Sequence, residues 1–349
     1  MTRQSWTALT SAVAFVILAV LLGVLHVPFV AWAPGETVNL LGRNSAGQPN
    51  LRVNGVKTYT TTGALLMTTV SVTRVDSALS LPEALAAYVL PSRDVLPRDV
   101  VYPPSLSNDQ VQSQEAQMMD TSQQSALVAA LRAAGQPVKE MPVVAAVVTS
   151  GPSNGKLQPG DLIEKVDGTP VQTVDEVTRM IAKHKVGDTV TMTVKRNGAT
   201  VGVSITTVAS NDGNPTPRVG IRVSIGYDLQ ASATFGIDPS IVGPSGGLMF
   251  SLAIYDLITQ SAIAGDRTVA GTGEISADGT VSPIGGIQEK IAGASAAHAT
   301  VFLVPAGNCV DVAGLHTSVQ LVKVATLDDA ISALNALKSA DTAKEVPHC

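Results

Sequence analysis

The sequence predicts an α+β protein that follows a single transmembrane helix. The chain has no Asp, Glu, Lys or Arg between Gln4 and Ala33, which is typical of a membrane span. Its middle part contains several strand-like runs and one helical run, and its last third mixes strands and helices without strict alternation. That mixture is typical of α+β domains.

Composition limits the classes of function. The 349 residues are 45% hydrophobic and 15% charged, so the chain can form two or three domains and is not a disordered protein. Aromatic residues make up only 3%, so the cores must be built from Val, Ile, Leu and Ala. The net charge is -5 and no basic run occurs, which argues against a nucleic acid as partner.

The N-terminal segment is predicted to be an uncleaved anchor. Thr7–Val30 is long enough, at about 1.5 Å per residue, to cross a bilayer core of about 30 Å. Trp6 and Trp32 lie at its two ends, where amphipathic rings favour the membrane interface. Arg3 precedes it, and positive charge tends to remain inside. We therefore expect residues 1–33 to be a cytoplasmic tip and anchor, with the rest of the chain outside the cytoplasm.

Two other interpretations of this segment are weaker. A signal peptide could be cleaved after Ala31-Trp32-Ala33, but the apolar stretch is long for a signal core and Pro34 would follow the cut. A buried core helix usually has a polar face, and this segment has none.

Residues 34–135 are the least readable part, predicted to be an extracytoplasmic segment that partly packs on the last domain. Ala64–Val75 is rich in strand-forming residues and could add a strand to that domain. Leu81–Tyr88 is predicted to be a short helix. The polar stretch Ser105–Gln117 indicates a loop or linker, and a second helix is expected over Thr121–Ala134.

Residues 136–210 form a strand-rich module with one helix. Val143–Thr149 is a clear strand, Asn197-Gly198 is a hairpin signal, and Val174–His184 has apolar residues at helical spacing. With GKLQPGDLIEKVDGTPV at its centre, the module resembles a PDZ domain of the bacterial protease-associated kind over Pro142–Val208.

The PDZ resemblance implies that a peptide adds as a strand beside the helix, with Val174, Val177 and Ile181 as peptide-binding residues. The usual Gly-Φ-Gly-Φ loop, which would hold a peptide carboxylate, is not visible in the sequence GQPVKEMP that precedes the first strand. The alternative is a module that only packs against or orients its neighbour.

A polar linker, Asn211–Pro217, precedes the last module, predicted to span 218–340 with a tail at 341–349. Helices are expected after Ser245, after Gly286 and over Asp328–Leu337. The expected strands are Val219–Ile225, Val269–Ile275, Thr300–Val304 and Gln320–Val324.

The first of two chemical motifs in this module is Gly243-Pro244-Ser245-Gly246-Gly247, followed by an apolar helix. The glycines allow a carbonyl to approach the backbone, and the amides at a helix N-terminus can bind a developing oxyanion. Taken alone, the motif is equally compatible with an ordinary turn.

The second motif is Gly285-Gly286-Ile287-Gln288-Glu289-Lys290, which leads into a helix. A solvated surface lysine is the usual interpretation. Burial and the positive end of the helix dipole would both lower the pKa of Lys290, and a neutral amine is what a general base for serine needs.

Taken together, the two motifs resemble the proteolytic domain of the Lon family of Ser–Lys proteases. The resemblance covers Arg218–Leu337 and includes the stretch VAGTGEISADGTVSPIGGIQEK, which ends in the second motif. The resemblance implies Ser245 as nucleophile and Lys290 as general base. It also implies that the Thr272 hydroxyl holds the amine and that the Ser245 amide contributes to an oxyanion hole.

Gly243 and Gly246 are expected to support the serine loop. Gly246 departs from the alanine usual in that family, a small change that should not remove activity. A larger departure is the missing ATPase module: GPSNGKLQ at 151–158 imitates a phosphate loop, but its glycines are too close and Leu157 replaces the Ser/Thr.

The order of the modules resembles membrane-anchored, PDZ-containing Lon-like proteins of bacteria. It implies a serine endopeptidase that cleaves extracytoplasmic polypeptides without ATP, with polypeptides and the membrane as partners and a homo-oligomer as a possible assembly. Cys309 and Cys349 form neither a zinc pattern nor a CxxC pair, and we expect no metal and no cofactor. The sequence leaves open whether these two cysteines form one disulfide or remain two free thiols.

Two rival functions remain. Gly243-x-Ser245-x-Gly247 also matches the nucleophile elbow of α/β-hydrolases, with Asp311 and either His316 or His348 as partners. The chain could also be a membrane-tethered peptide-binding or chaperone-like scaffold with an inactive protease fold.

Overall fold

A computed structural model describes residues 3–210 and 216–349. The chain forms two compact units. The larger unit comprises Met1–Gly135 and Ala231–Cys349, and the smaller unit is Gln136–Gln230. Most of the predicted linker Asn211–Pro217 lies outside the described residues.

Eight α-helices occur in the described residues: α1 (Arg3–Val24), α2 (Leu81–Val89), α3 (Arg98–Val101), α4 (Asn108–Ala133), α5 (Val174–Ile181), α6 (Gly247–Ile258), α7 (Ile287–Ala296) and α8 (Leu327–Ala336). The strands are β1 (His26–Val27), β2 (Phe29–Asn39), β3 (Leu51–Asn54), β4 (Ala64–Val72), β5 (Leu79–Ser80), β6 (Asp94–Pro97), β7 (Lys139–Val147), β8 (Leu162–Val166), β9 (Thr169–Pro170), β10 (Thr189–Arg196), β11 (Ala199–Thr206), β12 (Val208–Ala209), β13 (Pro217–Arg218), β14 (Ile221–Asp228), β15 (Ser232–Phe235), β16 (Thr268–Gly271), β17 (Glu274–Ile275), β18 (Val281–Ser282), β19 (Val301–Pro305) and β20 (Gln320–Val324).

The main sheet of the larger unit has the strand order β20-β19-β16-β4-β2-β6. Strand β4 pairs parallel with β16, where Leu65 lies opposite Val269, so the strand-rich run at Ala64–Val72 belongs to the same sheet as the C-terminal strands. Strand β2 pairs antiparallel with β4 and with β6. Helix α6 packs against this sheet and is almost entirely buried.

The apolar N-terminal helix ends earlier than the sequence predicts. Gln4–Val24 is long and apolar enough to cross a membrane, with a mean hydropathy of 2.4, and none of it is buried. The predicted end of the anchor at Val30 or residue 33 is wrong, because Val30 is fully buried in β2 and Trp32 pairs with Val72. Periodicity cannot distinguish a membrane helix from a buried strand within one continuous apolar run.

The predicted loop at Ser105–Gln117 is also wrong. Helix α4 begins at Asn108, because Ser107 and Gln110 form a capping box in which the Ser107 hydroxyl accepts from the Gln110 amide at 3.3 Å. Few residues of its polar first half are buried, whereas Ala126–Leu131 is buried throughout. The helix is therefore stabilised mainly by the packing of its second half. The polar sequence of its first half does not indicate this packing.

The smaller unit is built on a sheet with the strand order β11-β10-β8-β7-β14 and one helix, α5. Its last strand was assigned to the wrong module: the predicted strand Val219–Ile225 corresponds to β14, which pairs antiparallel with β7. Ile221 and Val223 pack against the core of the smaller unit, so the following unit begins at Ala231 and not at Arg218. The predicted domain boundary at residues 211–217 is therefore wrong, because these residues fall within the sequence range of the smaller unit.

Cys309 and Cys349 form a disulfide, which resolves the choice left open by the sequence. The C-terminal residues lie against the larger unit, because Val346 is buried and His348 bridges to Val322 in β20. The disulfide and this packing therefore hold the end of the segment 341–349 against the larger unit.

We predict that a variant starting at Leu25 folds, whereas one starting at Pro34 does not retain its stability. The second cut removes half of β2, including the fully buried Val30 and the ring of Trp32. Burial of two such side chains contributes roughly 4 kcal/mol, a large part of the stability of an ordinary domain. Thermal unfolding followed by circular dichroism compares the two variants. Equal melting temperatures would show that this half of β2 is dispensable.

Candidate active site

Ser245 lies in the turn that begins helix α6. Its carbonyl accepts two hydrogen bonds, from the Gly273 amide at 2.9 Å and from the Thr272 hydroxyl at 2.9 Å. The Gly247 amide donates to the Pro244 carbonyl at 3.2 Å, which closes the turn. The serine loop is thus tied to the residues that directly follow β16 in the main sheet.

Lys290 lies in the first turn of α7. The helix begins after Gly286, which has a left-handed φ of 70°, and a Cβ there would lie 2.7 Å from Val70. Only glycine fits both the backbone conformation and the space, so the second motif has a structural reason at this position. The side chain of Lys290 is only 2% exposed and extends into the larger unit.

The structure brings Ser245, Lys290 and Thr272 together. The Lys290 amine lies 2.7 Å from the Ser245 hydroxyl oxygen and 3.0 Å from the Thr272 hydroxyl oxygen. Thr272 is fully buried and bonds both the amine and the Ser245 carbonyl. Burial lowers the pKa of Lys290 from 10.5 to about 7. A lysine of this kind is neutral in a substantial fraction of molecules near neutral pH.

The two glycines predicted to support the loop do so for different reasons. Gly243 has a φ of 92° with open space around it, so its backbone conformation requires glycine. At Gly246, an added Cβ would lie 2.7 Å from the Met67 sulfur and 3.1 Å from the Phe250 ring. Met67 thus occupies the space that an alanine at this position would need.

Two residues of α4 that carry no sequence motif also hold the serine loop. The hydroxyl of Ser122, which is 3% exposed, donates to the Pro244 carbonyl at 2.9 Å. The carbonyl of Glu115 accepts from the Gly243 amide at 3.4 Å. A serine within a helix has no distinctive signature, and the Glu115 contact involves only backbone, so sequence reasoning could not find either one.

The structure does not assemble the alternative hydrolase triad. The Asp311 carboxylate accepts from the Asn308 amide at 2.9 Å, and the His348 ring lies 3.3 Å from the Leu321 carbonyl. Within residues 3–210 and 216–349, no histidine forms a hydrogen bond with Ser245 or with Asp311. His316 lines a separate shallow cavity beside α7.

In the smaller unit, the predicted peptide-binding residues do not share one surface. Val177 and Ile181 are buried in the core of that unit, so assigning them to a peptide site was wrong. Helical spacing identifies the apolar face of α5, and that face packs inward. Val174 does line a groove of about 280 Å³, whose other lining residues are Glu140, Met141, Pro142, Gln172, Thr173, Asp175 and Ile225.

Two protein-family models match the chain. One, described as a PDZ domain, matches residues 117–207, and the other, the Lon protease (S16) C-terminal proteolytic domain, matches residues 237–336. The chain carries a PDZ domain and a Lon-type proteolytic domain. Ser245, Thr272 and Lys290 all lie within the Lon-type match. Strand β14 lies beyond the PDZ match although it completes the sheet of that unit.

Relatives of the Lon-type domain are much longer proteins. Lon protease 1 of Sorangium cellulosum is 37% identical over 112 residues, which are 30% of this chain and 14% of the relative. Lon protease of Phenylobacterium zucineum is 35% identical over 95 residues, 26% of this chain and 12% of the relative.

The PDZ domain of the SdrC-like protein from Listeria monocytogenes is 30% identical, with a TM-score of 0.23, over 24% of this chain and 86% of that one.

We predict that Lys290→Met stabilises the Lon-type domain, and that the gain shrinks as pH rises. Wild-type unfolding takes up a proton between the folded pKa of about 7 and the unfolded value of 10.5. Wild-type stability therefore rises with pH across this window by about 1.4 kcal/mol per pH unit from this group, and the variant lacks that dependence.

Urea unfolding of the variant that starts at Leu25, which lacks Trp6, measures this difference at several pH values through the fluorescence of Trp32. Lys323→Met replaces an exposed lysine of β20 and should show a pH-independent difference from wild type. A pH-independent difference for Lys290→Met as well would contradict the lowered pKa.

Proposed function

We propose that this chain is a membrane-anchored serine endopeptidase that uses Ser245 and Lys290 as a catalytic dyad and needs no ATP. The observation that carries the proposal is the 2.7 Å contact between a buried amine of lowered pKa and the Ser245 hydroxyl. Such an amine can be neutral at physiological pH, and a neutral amine can remove a proton from serine. The match to a Lon-type proteolytic domain supports the same assignment.

The reaction proceeds in two halves. In the first, the neutral Lys290 amine accepts the Ser245 proton while the serine oxygen attacks the carbonyl carbon of the scissile peptide bond. The resulting ammonium donates that proton to the leaving amine, and an acyl–serine ester remains. In the second half, the amine removes a proton from water, which attacks the ester, and the proton returns to the Ser245 oxygen as the acid product leaves.

The surroundings of the dyad suit these steps. Thr272 accepts a hydrogen bond from the amine and keeps it directed at Ser245. The Ser245 amide donates to no group in the described part of the chain, and it precedes the N-terminus of α6. That amide is available to stabilise the negative oxygen that develops in the transition state.

Location outside the cytoplasm is part of the proposal. The apolar helix Gln4–Val24 provides the anchor, and Arg3 before it favours a cytoplasmic N-terminus. The disulfide between Cys309 and Cys349 is typical of an oxidising compartment. The sequence contains no phosphate loop, so we expect substrates that are already unfolded or exposed.

We further propose that the PDZ domain captures polypeptides at the edge of its sheet. Within the described residues, β14 pairs with β7 alone, so its outer edge can accept an added strand. Ile225 on β14 is 60% exposed and, with Val174 of α5, lines the groove between strand and helix. An exposed isoleucine in such a groove suits an apolar peptide side chain.

We predict that Ser245→Ala and Lys290→Ala each reduce cleavage of unfolded casein by at least about 10³-fold, because each removes one half of the dyad. For wild type, kcat/KM should fall about tenfold per pH unit below pH 7, where Lys290 becomes protonated, and level off above it. Detergent-solubilised full-length protein without ATP is used, and Lys323→Ala, at an exposed position of β20, is the matched control.

Three results would contradict the dyad. Cleavage that survives Lys290→Ala but requires His316 would support the hydrolase alternative. A flat pH profile would show that the amine does not act as the base. Wild-type protein that binds peptides but never cleaves them would support the scaffold.

We predict that Ile225→Asp weakens binding of peptides with apolar C-terminal residues by at least tenfold, because it places a charge in the groove. Fluorescence polarisation in the Ser245→Ala background measures binding without cleavage. Thr200→Asp, at an exposed position of β11 on the opposite edge of the sheet, is the control. Equal affinities for both variants would exclude the groove as the binding site.

A further inference from the structure

Helix α2 has the reverse of the usual burial pattern for a water-exposed helix. Its inward face consists of the small residues Ala84 and Ala87. Its large apolar residues are outside: Leu85 is 56% exposed, and Tyr88 and Val89 are each 78% exposed. A surface helix normally buries its large apolar side chains and exposes its polar ones, so this face lacks a partner that it is built to contact.

The position of α2 indicates what that partner is. The Leu25 carbonyl, at the end of the apolar helix α1, accepts a hydrogen bond from the Leu81 amide at 3.0 Å, and Leu81 is the first residue of α2. Directly after α1, β1 pairs with β5, where Val27 lies opposite Leu79. The start of α2 is therefore fixed to the end of the candidate membrane span by backbone hydrogen bonds.

The dimensions of α2 keep it near that junction. Nine residues at about 1.5 Å each give a length of roughly 13 Å, so every part of α2 lies within about 13 Å of its fixed start. The headgroup region on one side of a bilayer is roughly 5–8 Å thick. A helix that starts where the span ends is thus placed to lie in or on that region.

The charges around α2 are compatible with a lipid surface. Glu83 is the only charged residue of the helix, and it is turned back to the Ser80 amide and hydroxyl at the helix start. Beyond the helix, Arg93 and Asp94 offset each other in charge. Contact with lipid would therefore be mainly apolar, with Tyr88 suited to the interface between acyl chains and headgroups.

We propose that α2 is a second membrane contact, whose Leu85, Tyr88 and Val89 enter the headgroup–acyl boundary of the bilayer that α1 spans. The proposal rests on the membrane anchoring proposed above. The larger unit would then be attached to the bilayer at two places, through the span and through the α2 face, defined as these three residues. Two attachments fix the tilt of this unit on the membrane, whereas a single span would leave it free to rotate.

The test uses full-length protein in nanodiscs and a fluorophore attached to one engineered cysteine. Both natural cysteines are joined in the disulfide, so the engineered cysteine is the only reactive one. Tyr88→Cys probes the α2 face, Leu18→Cys probes α1, and Asp328→Cys probes an exposed position of α8. Helix α8 packs on β20, at the opposite end of the sheet from the strands that contact α2.

Lipids that carry a quencher near the headgroup should reduce the emission at position 88 by about twofold or more, and leave position 328 unchanged. Adding Leu85→Ser and Val89→Ser, two exposed replacements that spare the core, should abolish quenching at position 88. A quencher deep in the acyl chains should still reduce the emission at position 18.

Different failures identify different errors. Quenching at position 18 but not at position 88 overturns the second contact and leaves the anchor intact. No quenching at position 18 removes the anchor, and this proposal with it. A third failure is that position 88 escapes quenching only when a second copy of the protein is in the same disc, and crosslinks to that copy. This result would show that the α2 face is a dimer interface and would also overturn the proposal.

Discussion

The contact between the Lys290 amine and the Ser245 hydroxyl imposes a costly requirement on the larger unit. An amine removed from water destabilises the folded state while it is charged, so the surrounding structure must supply enough burial to offset that cost. Helix α7 packs on β2, β4 and β16 of the main sheet, and this packing provides the burial. Gly286 allows α7 to begin close enough to Val70 for Lys290 to reach the serine loop.

The serine loop is held from two sides by parts of the chain that are far apart in sequence. Thr272 and Gly273 bind the Ser245 carbonyl from the end of β16, and Ser122 of α4 binds the Pro244 carbonyl. Residues before the smaller unit, Gln136–Gln230, therefore complete a site whose chemical groups all follow that unit. In sequence, the smaller unit is an insertion in the larger unit, which explains why residues 34–135 could not be interpreted as a module of their own.

The sequence indicated the residues of the candidate site better than the residues that support them. Ser245 and Lys290 stand in glycine-rich motifs because close packing at Gly246 and Gly286 restricts the residue types beside them. Ser122 and Met67 act through position alone, and a helical serine or a buried methionine looks the same in any protein. The end of α1 was misplaced for a related reason: Val30 is apolar because β2 is buried, and a membrane span would require the same composition.

The same limit explains why the peptide-binding residues of the PDZ domain were assigned wrongly. The spacing of Val177 and Ile181 reported correctly that α5 has an apolar face, but such a face packs inward, and the groove lies between its N-terminus and Ile225 of β14. Between α1 and β1 only one residue intervenes, and β2 follows almost at once. The proposed anchor is thus joined to the central sheet without a flexible tether. The Lon-type domain would therefore remain at the bilayer surface, and polypeptides would have to reach it there.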